Sequence, residues 1–205
     1  MGHVVRRTEW HLGFRTRENL PTGRGFDTYL GLLGGGSDHF DKTLCVGPHG
    51  GLGSLCPCAN TAATYPFRVD YTDGDKPAKS LWDNTTYDAY QFSARAVQLV
   101  EAHDVTTPFF LYWAPHKVHA PLQVAAEFLT PYPLDDNRQC RSTPETCDER
   151  GWTDCGCTFM CSCNRRMIKG MVTAVDAMLT NLTVAMQAKG MWQNTLVFFL
   201  GDNGA

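Results

Sequence analysis

Near the end of this 205-residue chain, Asp202 and Asn203 follow Gly201 and the apolar run Leu196-Val197-Phe198-Phe199-Leu200. A short β-branched and aromatic run reads as a buried strand. Ligands of open α/β sheets bind beyond the carboxyl ends of strands. A carboxylate and an amide at that point are hard oxygen donors suited to Ca²⁺ or Mg²⁺. A plain turn at Asn203-Gly204 is the competing reading. A second run, Phe109-Phe110-Leu111-Tyr112-Trp113-Ala114, has the length and composition of a buried parallel strand. Just past it lies Pro115-His116-Lys117-Val118-His119-Ala120-Pro121. Histidines there suit acid–base work or anion contact, and incidental surface histidines are the alternative. Trp10-His11-Leu12-Gly13 supplies a further histidine, which taken alone reads as structural. Thr22-Gly23-Arg24-Gly25-Phe26-Asp27 has the look of an anion-contacting loop, on a weak signal.

The elements that must hold these groups are legible in part. Residues 13–80 read as loop-rich, with glycines clustered at Gly34-Gly35-Gly36 and around Gly50-Gly51. Alternation over residues 67–71 suggests a strand, with a turn at Asp73-Gly74. Phe92, Ala96, Leu99 and Val100 recur at helical spacing, which predicts a helix over residues 90–103, before Thr107-Pro108 interrupts. A longer helix is predicted from Arg165. Its apolar face carries Met167, Met171, Ala174, Val175, Met178, Leu179, Leu182, Ala185 and Met186. Lys189-Gly190 closes it with a cation and a C′ glycine. Strand 109–114, this helix and strand 196–200 then form a βαβ unit, with both strands parallel in one sheet.

Length and composition bound the function. A chain of 205 residues buries one sizeable core, so one domain is the default. Net charge is -3 and the isoelectric point about 6.1, which argues against nucleic acid as a partner. No apolar stretch reaches the ~18 residues that span a bilayer. The start, Met1 to Arg7, lacks a signal-peptide apolar core. Nine cysteines argue for an oxidising compartment instead, and six of them fall between residues 140 and 163. Sequons at Asn84 and Asn181 permit glycosylation there. Disulfides, zinc thiolates at Cys155, Cys157, Cys161 and Cys163, and free thiols all remain open for the cluster.

Six fragments occur in order: Trp10-His11-Leu12-Gly13-Phe14, Pro21 to Asp27, Val118-His119-Ala120-Pro121-Leu122-Gln123-Val124, Gly170 to Asp176, Trp192 to Thr195, and Asp202-Asn203-Gly204. The series closely resembles the sulfatase family, in particular its arylsulfatase B-like branch. The resemblance implies an α/β, alkaline-phosphatase-like sandwich with a parallel-rich sheet between helices, truncated at both ends. Residues 1–205 would be a partial catalytic domain with a Cys-rich insertion at about residues 134–164. It further implies hydrolysis of sulfate esters through a formylglycine nucleophile, made from the cysteine of a Cys-x-Pro-x-Arg motif. One Ca²⁺ or Mg²⁺ would sit beside it, held by Asp202 and Asn203. His119 matches the histidine near the leaving-group oxygen, and His11 matches the one that helps break down the sulfated intermediate. Asp-Asn-Gly favours sulfatases over related phosphatases, which more often show Asp-His-Gly. A sulfated small molecule or carbohydrate is the implied partner, and a lysosomal or secreted location the implied address.

The chain departs from the family at several points. No Cys-x-Pro-x-Arg occurs in it; Cys45-Val46-Gly47-Pro48 and Cys56-Pro57-Cys58 do not match. The early metal-binding aspartates are missing too. Glu9 stands where the family has a sulfate-contacting lysine. Two unit charges 4 Å apart interact by roughly 4 kcal/mol at an effective dielectric of 20. Exchanging attraction for repulsion therefore weighs heavily against sulfate binding. A non-catalytic, sulfatase-derived binding protein is the alternative function.

Overall fold

The computed structural model describes residues 3–43, 69–83, 85–133, 147–148, 151–152 and 162–201. Its centre is a five-stranded sheet in the order β4-β3-β2-β1-β5. Strand β1 spans His3–Glu9, β2 Thr28–Leu32, β3 Thr72–Asp73, β4 Lys76–Pro77 and β5 Phe109–Ala114. Strands β2, β1 and β5 run parallel to one another. β1 pairs with β2 through Val5↔Thr28 to Glu9↔Leu32, and with β5 through His3↔Phe109 to Thr8↔Ala114. The small hairpin β3–β4 adds antiparallel to β2. It turns on Gly74, whose φ of 65° suits a residue without Cβ.

Two helices cover one face of this sheet. Helix α1 spans Asp88–Ala102 and α2 spans Ser162–Ala188. Phe92, Ala96 and Val100 bury one stripe of α1; Met167, Met171, Ala174, Met178, Leu182 and Met186 bury one stripe of α2. These spacings of three and four put each set on a single helical face. The stripes meet Leu30 and Leu32 of β2 in one cluster and Phe109, Leu111 and Trp113 of β5 in another. Asn181 also donates to Ser93 Oγ across the two helices (3.1 Å). Gly170 is required by close approach: a Cβ there would stand 2.9 Å from Leu129 Cδ2 and 3.1 Å from Val124 Cγ1. Gly190, at φ 72°, ends α2 in the left-handed conformation that the Lys189-Gly190 pair predicts.

Strand β5 and both helices therefore match the expectation from periodicity, and other segments do not. Strand β1 falls in a segment to which the sequence assigns no element, and β2 in one that reads as loop-rich. Of the alternating segment 67–71, residues 69–71 are described and contribute an isolated bridge, Val69↔Thr43; the ladder begins at Thr72. The next difference is the largest. Residues 196–200 form no strand and join no sheet, so the βαβ unit ending there is not formed among the described residues. Leu196, Phe198, Phe199 and Leu200 are between 78% and 83% exposed. β-propensity measures fit to a half-buried, paired surface. No described strand edge pairs with this run, so its propensity is left unexpressed. A milder difference concerns β5, read as buried on both faces: Phe110 and Tyr112 point away from the helices and are exposed.

Within the Cys-rich segment, Cys147–Asp148 (β6) pairs antiparallel with Gly151–Trp152 (β7), in a sheet separate from the main one. The cysteine pairings, the Asn84 sequon, and Asp202 and Asn203 lie outside the described residues. Phe92→Ala should cost about 3–5 kcal/mol of stability in urea unfolding, because it empties the contact between α1, Tyr71 and α2. Val184→Ala, on the 57% exposed outer face of α2, should stay within about 0.5 kcal/mol of the unaltered chain.

Candidate active site

Because β1 and β5 are adjacent and parallel, the residues that follow them emerge at the same carboxyl edge. His11 follows β1 and His119 follows β5, so chain direction delivers both to one side of the sheet. Trp10 is buried and donates from Nε1 to Gly13 O (2.7 Å), which pins the turn carrying His11. His11 itself has φ 48°, a left-handed conformation uncommon for any residue with a Cβ. The loop after β2 forms the floor. A Cβ on Gly35 would stand 2.3 Å from His11 Cε1, and one on Gly36 would stand 3.2 Å from His119 Cε1. Two consecutive glycines thus seat the two histidines. The floor is held by Asp70, whose carboxylate accepts from the backbone N–H groups of Leu33 (2.9 Å) and Gly34 (2.6 Å). Burial pushes the Asp70 carboxyl up, against those two hydrogen bonds.

His119 is exposed, and its Nδ1 lies 2.7 Å from the Ala120 carbonyl oxygen. A carbonyl only accepts, so Nδ1 carries the proton and a neutral ring keeps its lone pair on Nε2. Nε2 is therefore the atom available for proton exchange. Glu9 closes β1 opposite Leu32, two residues before His11. Arg24 turns its Nε to the Glu18 carbonyl (3.2 Å) within the exposed loop before β2.

Beneath the histidines lies a buried cluster that the sequence reading missed in part. It named His116 and Lys117 as neighbours of His119 but not His39 or Asp88. Asp88, in the first turn of α1, contacts Lys117 Nζ through Oδ1. Its Oδ2 lies 3.1 Å from His39 Nδ1 and 3.5 Å from His116 Nδ1. All four side chains are at most 3% exposed. Lys117 Nζ also stands 4.6 Å from the centre of the Tyr87 ring. Around them, Gln123 accepts from His39 N (2.9 Å) and donates to Asp38 Oδ2 (2.7 Å). No local signal marks this group, since His39, Asp88 and His116 lie far apart in sequence.

Burial alone would push the Asp88 carboxyl up, yet the Lys117 ammonium beside it holds it well below the usual carboxylate range. Burial lowers Lys117, and Asp88 pulls it back, so the two remain a charged pair. Burial and the Lys117 charge lower His39, while burial and His39 lower His116 to about 3. The histidines are therefore neutral, and the attraction that keeps Asp88 ionised comes from the ammonium.

A sequence model described as Sulfatase matches residues 6–205. The chain belongs to the sulfatase family. Mouse arylsulfatase J is 29% identical over 202 residues, covering 98% of this sulfatase chain and 26% of that protein. The crystal structure of Ps i-CgsB superimposes with a TM-score of 0.63 at 25% identity, over 94% of this chain and 35% of that one. Its complex with k-i-k-neocarrahexaose gives a TM-score of 0.60 at 23% identity. The chain thus spans roughly a quarter to a third of the relatives it matches.

Sulfatases as a family bind a divalent metal. Among the described residues, His39, Asp88 and His116 converge, their donor atoms all within 4.8 Å. Two imidazoles and one carboxylate do not suit Ca²⁺ or Mg²⁺, which prefer oxygen donors. The Lys117 ammonium already neutralises that carboxylate. The cluster does not fit the metal that the family implies.

Both buried histidines have folded-state affinities for protons below the unfolded value of about 6.5. The unfolded chain then binds more protons below that pH, so stability must fall as the pH drops from about 6.5 toward 3. Melting temperature measured across that range should decline, and His116→Gln should flatten the slope. Gly35→Ala should displace the flexible His11 ring with little loss of stability. The check is the loss of nuclear Overhauser contacts between His11 and residue 35.

Proposed function

We propose that this chain is part of the catalytic domain of an arylsulfatase-type sulfuric ester hydrolase, close to the arylsulfatase B-like branch. The observation that carries the reading is the seating of His11 and His119 over consecutive glycines at one carboxyl edge of a parallel sheet. His119, when its ring carries a second proton at Nε2, hands that proton to the ester oxygen as the sulfur–oxygen bond breaks. His11 takes up a proton as the sulfated intermediate is resolved. Asp202 and Asn203 would hold Ca²⁺ or Mg²⁺, which would supply positive charge for the sulfate oxygens. The nucleophile, a formylglycine, comes from a Cys-x-Pro-x-Arg motif that residues 1–205 do not contain. The sheet belongs to an alkaline-phosphatase-like sandwich, and residues 134–164 form an insertion on it. The substrate is a sulfated small molecule or carbohydrate; the neocarrahexaose bound by a protein of similar fold is in keeping with the second. A lysosomal or secreted setting suits the nine cysteines.

Glu9 favours a second reading, a sulfatase-derived protein that binds without turning over. An acidic group two residues before His11 disfavours an anion at that edge.

The test uses residues 1–205 with labelled imidazoles and sodium sulfate. Sulfate should move the His11 and His119 resonances together, with one saturation curve. Glu9→Lys should tighten that binding by about tenfold or more, as expected when a repulsive charge becomes attractive. Residues 1–205 should hydrolyse no chromogenic aryl sulfate above a His119→Ala, Asp202→Ala control. Sulfate that shifts neither histidine, even with Glu9→Lys, would remove the anion-site reading.

A further inference from the structure

One tautomer of the neutral His39 ring bonds both Lys117 and the His119 backbone. Its Nδ1 then faces Asp88 Oδ2 (3.1 Å) as acceptor to acceptor, a contact that the Lys117 ammonium between them bridges. The His39 Nε2 lies 3.3 Å from the His119 carbonyl oxygen, which can only accept, so Nε2 carries the proton. Nδ1 is then an acceptor, and Lys117 Nζ, which can only donate, stands 2.9 Å from it. Lys117 in turn donates to Asp88. A directed chain results, from the Asp88 carboxylate through the Lys117 ammonium and the His39 ring to the backbone of His119.

The same unit joins two loops and the start of α1. Asp88 N donates to His39 O (2.9 Å), His39 N to Gln123 Oε1 (2.9 Å), and Tyr87 OH to Gln123 O (3.2 Å). The rings form a column. His39 lies 4.3 Å from His116, and His116 stacks on His119 at 5.6 Å with 21° between planes. The upper end of that column is exposed at His119, and its lower end is fully buried at His39.

We propose that His39, carried by the buried Asp88–Lys117 pair, is the positioning residue for His119: it fixes the backbone from which the His119 ring projects over Gly36. The proposal rests on the sulfate-site reading for its functional meaning but not for its geometry. Lys117 also decides against a metal here. Its ammonium stands 2.9 Å from His39 Nδ1, the atom a zinc ion would need at about 2.0–2.1 Å.

The experiment compares the unaltered chain with His39→Phe and His39→Gln by nuclear magnetic resonance. Phe keeps the ring packing and removes the donor; Gln restores an N–H near the Nε2 position. His39→Phe should abolish Overhauser contacts between the His119 ring and Gly36 while leaving those between Tyr71 and Phe92. It should also weaken sulfate binding at His119 about tenfold, a change that His39→Gln largely reverses. The paired substitution Asp88→Asn with Lys117→Met removes both charges and strands neither; it should loosen the same contacts. Unchanged His119–Gly36 contacts in either altered chain overturn the proposal. So does stoichiometric Co²⁺ or Zn²⁺ binding to the unaltered chain that His116→Ala abolishes. Sulfate that moves no histidine, with His39→Phe still freeing the His119 ring, overturns the sulfate site and leaves the positioning role standing.

Discussion

A carboxylate whose side chain is 3% exposed must have a counter-charge within reach, and Asp88 has one in Lys117. That requirement ties the start of α1 to the loop after β5. The lysine cannot leave without stranding the carboxylate, and the carboxylate cannot leave without stranding the lysine. Since α1 packs on α2 and both pack on the sheet, the pair also fixes where the β5 loop lies on the core. Its neutral satellites, His39 and His116, convert that fixed point into a column of rings that surfaces at His119. Removing either charge alone is the damaging change; removing both together is the milder one.

A second constraint comes from the backbone. Parallel pairing of β1 with β2 and β5 sends three chain ends in one direction, and the loops that follow them meet. Where they meet, side-chain volume has been withdrawn. Gly35 and Gly36 leave room that two imidazoles fill, and Asp70 supplies the hydrogen bonds that the turning backbone lacks. The two histidines thus stand on loops while their supports belong to the sheet and to α1, which combines access with fixed geometry.

What could be read in advance follows from how local each signal is. The 3.6-residue stripe of α2 and the apolar run of β5 are properties of neighbouring residues, and both elements formed there. The ordered motifs singled out His11 and His119, which the sheet brings to one edge, and Gly190 was legible through its place after a cation. Strand β1 carries charges at Arg6, Arg7 and Glu9 that interrupt any apolar alternation; it is a strand because β2 and β5 pair with it on both sides. Residues 196–200 show the converse, a strong local preference without a described partner. The Asp88 cluster was invisible for the same reason: His39, Asp88 and Lys117 come from two loops and the start of α1 and share no spacing.

Heat acts unevenly on such a molecule. The hydration of ions becomes less favourable as temperature rises, so the penalty for keeping Asp88 and Lys117 dry shrinks on warming. Conformational entropy meanwhile loosens exposed loops and fraying ends first. The segment around His119 is therefore fastened by a contact that improves, relative to its surroundings, as the rest of the surface begins to move. A sulfatase edge built in this way keeps its histidine column in register closer to the melting point than the exposed loops of the chain would suggest.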